Sequence, residues 1–134
     1  MSEDPEQFLK EAQKLLEEGD YGRAAYQELM AAKAYASRKE FNKAAELYEL
    51  AAEHFIKVYD YEYSANAYMN AAKLYNVTKN YQKAKELFLK AAEHYKLIRD
   101  DARRKQCLTN AAKCAETLGE KDEAENLRKL AATG

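Results

Sequence analysis

Residues 63–75, Tyr63-Ser64-Ala65-Asn66-Ala67-Tyr68-Met69-Asn70-Ala71-Ala72-Lys73-Leu74-Tyr75, alternate large rings with small side chains. With their flanks, Tyr61, Ser64, Ala65, Tyr68, Ala71, Ala72, Tyr75 and Thr78 fall three or four apart and form one wide stripe on a helix. The next segment repeats the pattern as Tyr81, Ala84, Phe88, Ala91, Ala92, Tyr95 and Ile98. Rings at one level facing alanines at another let helix axes approach to about 8 Å while the rings fill the remaining gaps. Working outward, alanine recurs at residues 12, 32, 52, 72, 92, 112 and 132, so these seven are read as contact points between helices. The match is better at forty: residues 21–60 laid on 61–100 without a gap give sixteen identities, including Ala51-Ala52-Glu53-His54 against Ala91-Ala92-Glu93-His94. A fixed period marks a repeat array, in which each unit buries its apolar face by stacking on its neighbours.

The same frame marks the turns. Its last place holds Asp20, Glu40, Asp60, Asn80, Asp100 and Glu120, and the aspartates and the asparagine are N-cap types whose side-chain oxygen takes an orphan backbone N–H. Gly19 and Gly119 precede two of these places, where glycine adopts the left-handed conformation that closes a helix. Asp4 before Pro5 opens the first helix in the same manner, and no other proline interrupts the chain. The expected helices run near 4–18, 21–38, 41–58, 61–78, 81–98, 101–118 and 121–132. Connections of about two residues make neighbours antiparallel.

At 134 residues the chain reads as a single domain, 1–134, able to bury a core without staples. Cys107 and Cys114 lie on one helix, ~10 Å apart along its axis, too far to bridge. Free thiols, an acidic N-terminus and no apolar run of ~18 residues point to a cytoplasmic protein without a membrane span. With 22 basic and 23 acidic side chains there is no excess of charge to recommend nucleic acid.

Tyr68, Ala71, Ala72, Tyr75, Tyr81, Ala84, Phe88 and Ala91 resemble the tetratricopeptide pattern of aromatic, small pair and aromatic, then Tyr, Ala, aromatic and Ala across a turn. Three departures stand out: Ala-Ala replaces the usual Leu-Gly, the closing proline is absent, and the period is forty instead of thirty-four. Together they are similar to the longer hairpins of the SNAP family of vesicle-fusion adaptors, although nothing here matches that family's C-terminal bundle. The resemblance implies an all-α fold, a right-handed α-solenoid of seven antiparallel helices with hairpins 21–58, 61–98 and 101–132 after the first helix. These motifs are packing motifs and specify function weakly.

By the family pattern the groove carries Tyr26, Leu29 and Lys33 from the second helix, and Asn66, Met69, Asn70, Lys73 and Asn76 from the fourth. Gln106, Thr109, Asn110 and Lys113 come from the sixth. Lys33, Lys73 and Lys113 stand forty apart as a ladder of ammonium groups, and the asparagines offer amides suited to an extended backbone, so an acidic peptide is the expected partner. The opposite phase, favoured by Gly19-Asp20-Tyr21, puts the odd helices inside and offers Glu46, Glu49, Glu53, Glu86 and Glu93 to a basic partner. Either row also serves simply as a solvated face. The clamp of lysine, asparagine and arginine that reads chaperone C-termini in related domains is not expected: Asn70 fits it, but Leu29, Gln106 and Asn110 occupy its other places.

Chemistry finds little footing. His54 and His94 are each preceded by Glu and neither stands in Glu-x-x-His or His-Glu-x-x-His, so they read as flank residues of equivalent helices. Four glycines form no phosphate loop and no Gly-x-Ser-x-Gly elbow. No catalytic residue, metal site or cofactor is expected. The chain reads as an adaptor that binds a peptide or helix, monomeric or weakly self-associating. The alternative is a structural piece, a homo-oligomer or the subunit of a larger complex.

Overall fold

The computed structural model describes residues 4–133 and is all-helical over them. The seven helices are α1 (Pro5–Glu17), α2 (Tyr21–Ser37), α3 (Phe41–Lys57), α4 (Tyr61–Val77), α5 (Tyr81–Leu97), α6 (Asp101–Thr117) and α7 (Lys121–Thr133). Helices α1 to α6 end about one residue before the expected bounds. Each packs against the helix before and after it in the chain, as a solenoid requires.

One turn motif, used six times, sets this order. The backbone N–H groups of Asp20, Glu40, Asp60, Asn80, Asp100 and Glu120 each donate to a carbonyl five residues earlier, at 2.8–3.0 Å, closing the preceding helix. Four of these residues then open the next one: the side chains of Asp20, Asp60, Asn80 and Asp100 accept from the N–H three residues on, at 3.1–3.4 Å. Glu40 makes no such cap. A single residue thus ends one helix and starts another, which keeps each break to three residues.

Such a turn needs a residue at positive φ just before the cap. Gly19 and Gly119 supply it at φ 77° and 84°. The other four turns force Lys39, Tyr59, Lys79 and Arg99 into the same region, at φ 60–66°. A side chain there costs about 1–2 kcal/mol, partly offset by the larger chain entropy that a glycine would lose. Lys39→Gly and Lys79→Gly, both at exposed positions, are therefore each expected to raise stability by roughly 0.5–1 kcal/mol. Urea denaturation reads that gain, and an unchanged or lower midpoint contradicts this origin of strain.

The interior follows the alanine column. Ala32, Ala52, Ala72 and Ala112 have no exposed surface, and Ala12 and Ala92 almost none. Ala132 departs from the column and is exposed, because no helix follows α7 among the described residues to press against it. Ile98 also departs: it is 37 % exposed because it forms the C-cap of α5, past the last packed turn. The rings wedge between alanines, and Tyr68, Phe88 and Tyr95 are each at most 2 % exposed.

Candidate functional site

Helices α2, α4 and α6 contribute to one cleft of about 330 Å³, with Tyr48 of α3 on its wall. Five of the twelve residues assigned to the groove line it: Leu29 and Lys33 of α2 with Asn66, Met69 and Asn70 of α4. Leu29 and Met69 are buried and make its floor, whereas Lys33 is exposed and the two asparagines half-buried. Tyr26 lies outside this cleft and lines a second one, of about 450 Å³, whose floor includes Leu15 and Phe55. Asn76 is on the C-terminal turn of α4, where its amide oxygen accepts from Cys114 Sγ at 3.8 Å. Lys73, Gln106, Thr109, Asn110 and Lys113 border neither cleft. The Lys73 charge acts on the Cys107 thiol of α6, opposing the larger effect of burial.

Tyr48, Tyr63, Ala67 and Arg103 of the smaller cleft escaped the sequence reading. Tyr63 forms a wall common to both clefts and is held there by stacking on Phe55, 5.0 Å between ring centres. Arg103 brings α6 to the smaller cleft, its guanidinium tied to Asp100 at 2.7 Å while Asp100 caps the same helix. That bond and the cap hold the Asp100 carboxyl below the usual carboxylate range. The missed signal was periodic: residues 23, 63 and 103 are Arg, Tyr and Arg, forty apart like the lysines.

Part of the polar set is already engaged. The Tyr95 hydroxyl donates to Asn66 Oδ1, so at this cleft-lining residue it is the amide N–H groups that remain as donors. No salt bridge reaches Lys33, Lys73 or Lys113 among the described residues. Lysines of the odd helices are placed differently. Lys83 pairs with Glu49 at 2.8 Å, Lys43 with Glu40 at 3.3 Å, and Lys90 sits over the Tyr68 ring. Glu49 also accepts from the Tyr75 hydroxyl at 3.3 Å, and burial with the nearby Glu49 and Glu46 charges pushes that phenol up to about 12. The glutamate row of the odd helices is thus partly spent on packing.

The histidines are half-buried on the helix flanks, and each links to a buried side chain of the preceding helix. His54 Nδ1 lies 2.8 Å from Glu28 Oε1, and Glu28 is only 2 % exposed. His94 Nδ1 meets the buried Ser64 hydroxyl at 2.9 Å. These links were hidden because the partners, Glu28 and Ser64, sit at different places in their repeats. Among the described residues no group of three His, Cys, Asp or Glu is arranged to hold a metal. Burial pushes Cys107 up to about 12 and also raises Cys114, so both thiols stay protonated and inert. No helix among the described residues is long and apolar enough to cross a membrane.

Comparison with known proteins is consistent with this geometry. No curated protein sequence matches the chain. A family model described as the tetratricopeptide repeat matches residues 63–132, just over half of its length, covering α5, α6, nearly all of α4 and α7 up to its last residue. The stacked helices and the matched segment place this chain in the tetratricopeptide repeat family, whose repeats generally mediate protein–protein interaction.

Proposed function

We propose that this chain is a non-catalytic interaction scaffold that holds an extended, acidic segment of a partner protein along the face of α2, α4 and α6. In this reading the seven helices form a right-handed solenoid of antiparallel hairpins, 21–58, 61–98 and 101–132, with a forty-residue period that repeats the lysine ladder. The carrying observation is that Lys33, Asn70 and Arg103, from three different helices, line one cleft. The lysines support it further because no salt bridge among the described residues neutralises their charge, whereas the odd-helix Glu49 is paired. Carboxylates meet Lys33, Lys73 and Lys113, the asparagine amides bond the peptide backbone, and Tyr63 packs against an apolar side chain. The free thiols fit a cytoplasmic setting.

The test is fluorescence anisotropy with a labelled, proline-spaced glutamate peptide and its lysine counterpart. The glutamate peptide is expected to bind more tightly, and Lys33→Glu with Lys73→Glu to weaken it at least tenfold. Such long-range attraction is screened by salt, so affinity should also fall between 0.05 and 0.3 M NaCl, on the order of severalfold. Equal binding of the two peptides, or indifference to the double substitution, contradicts the proposal.

A further inference from the structure

A third cleft, of about 260 Å³, is lined by α5, α6 and α7, and neither α5 nor α7 contributes to the clefts lined by α2 and α4. Leu89, Leu108, Leu127 and Leu130 supply its apolar surface, and Lys96 and Arg104 stand with Glu93 at its rim. The repeat explains why it is open. Forty residues earlier the places of Leu108 and Leu130 are Tyr68 and Lys90. There the Tyr68 ring is buried against His94, 5.6 Å between ring centres, and the Lys90 ammonium covers it at 5.5 Å. In the last repeat a shorter leucine replaces the ring, and Leu130, 49 % exposed, replaces the ammonium.

Around this cleft the basic Lys96, Arg99 and Arg104 outnumber the acidic Glu93 and Asp101. Lys96 and Arg104 also line an adjoining hollow of about 460 Å³ with Arg99 and Asp101. Asp101 is already engaged by Arg104 at 3.2 Å and Lys105 at 3.3 Å, while Lys96 and Arg99 take part in no salt bridge among the described residues. Leucines beside uncompensated cations complement leucines flanked by carboxylates, and a trough between two helices fits a third helix laid along it.

We propose that the α5–α7 cleft is a second docking site, which takes an acidic amphipathic helix of a partner protein. Leucines of that helix enter among Leu89, Leu108 and Leu130, and its glutamates meet Lys96 and Arg99. The site shares no lining residue with the cleft of α2, α4 and α6, so one chain joins two partners or two segments of one.

The probe is a labelled, helix-stapled peptide with leucines three and four apart and flanking glutamates, compared with the same peptide carrying lysines. Anisotropy should favour the glutamate form at least tenfold. Leu108→Tyr with Leu130→Lys rebuilds the filled arrangement of the preceding repeat and is expected to cost at least tenfold in affinity. Lys96→Glu, on the surface, should weaken binding severalfold should the double variant fail to fold, and Lys33→Glu with Lys73→Glu should leave it unchanged. Binding that survives both Leu130→Lys and Lys96→Glu overturns the proposal, as does equal binding of the two peptides. Concentration-dependent mass in sedimentation that Leu130→Lys abolishes also overturns it, by assigning the cleft to a second copy of the chain.

Discussion

Tyr95→Ala lowers the stability of the fold by about 3–5 kcal/mol, the usual loss for removing a buried aromatic side chain. Tyr95 is 1 % exposed, midway along the stack, and its hydroxyl is bonded to Asn66 on α4. Removing the ring opens a cavity between α4 and α5, and the alanines around it cannot reach across to fill it. A solenoid transmits stability only between neighbouring units, so a weak central joint also uncouples the two ends. Urea unfolding of the variant is therefore expected to broaden or split into two steps, whereas the parent unfolds in one. Tyr95→Phe keeps the packing and removes only the hydroxyl, for a loss of about 1 kcal/mol. It also frees the Asn66 amide oxygen beside the cleft. A ring truncation that costs under 1 kcal/mol would show that α4 and α5 do not depend on this wedge.

His54→Ala has the second large effect, and it depends on pH. Burial raises the pKa of Glu28, the hydrogen bond and charge of His54 pull it back, and the Glu53 charge pushes it up. An acid with a raised pKa in the folded state contributes stability that is full below its unfolded value near 4.5 and is lost as pH rises through the folded value. Without His54 the two lowering influences vanish and the folded value climbs further. The variant then loses stability with rising pH more steeply than the parent. At pH 7 the deficit is about 3 kcal/mol, the scale for leaving one partner of a buried pair uncompensated. At pH 4.5, below the raised value, the neutral carboxyl predominates in the variant and the deficit shrinks. Thermal melts across pH 4–8 read the difference; a deficit that does not grow with pH contradicts a buried Glu28 held by His54.

The repeat carried most of the fold because its signals are local and redundant. Asp20, Asp60, Asn80 and Asp100 announce helix starts by their own chemistry, and those four make the caps. Tyr59 and Arg99 announce nothing: their left-handed conformation is imposed by the shared turn and runs against their own preference. Buried polar residues were equally silent. Lys85 reads as a surface lysine, yet it is 6 % exposed and bridges to Glu120 at 2.6 Å and Glu123 at 3.0 Å, joining α5 to the start of α7. In the candidate site, the family pattern put Leu29, Lys33, Asn66, Met69 and Asn70 on one groove, and the five line one cleft because its places follow the helical period. Tyr63 and Arg103 were missed because the family pattern does not weight their positions. Their presence there depends on Phe55 and Asp100, contacts between side chains that a pattern of single residues does not encode.

Amide chemical-shift mapping of the labelled chain, titrated with the proline-spaced glutamate peptide, separates the two faces directly. Shifts should concentrate at Lys33, Asn66, Asn70, Lys73 and Arg103, with little change at Glu46, Glu49, Glu86 and Glu93. Shifts confined to those glutamates, or appearing only with the lysine peptide, would put recognition on the odd helices and contradict the reading of the even ones.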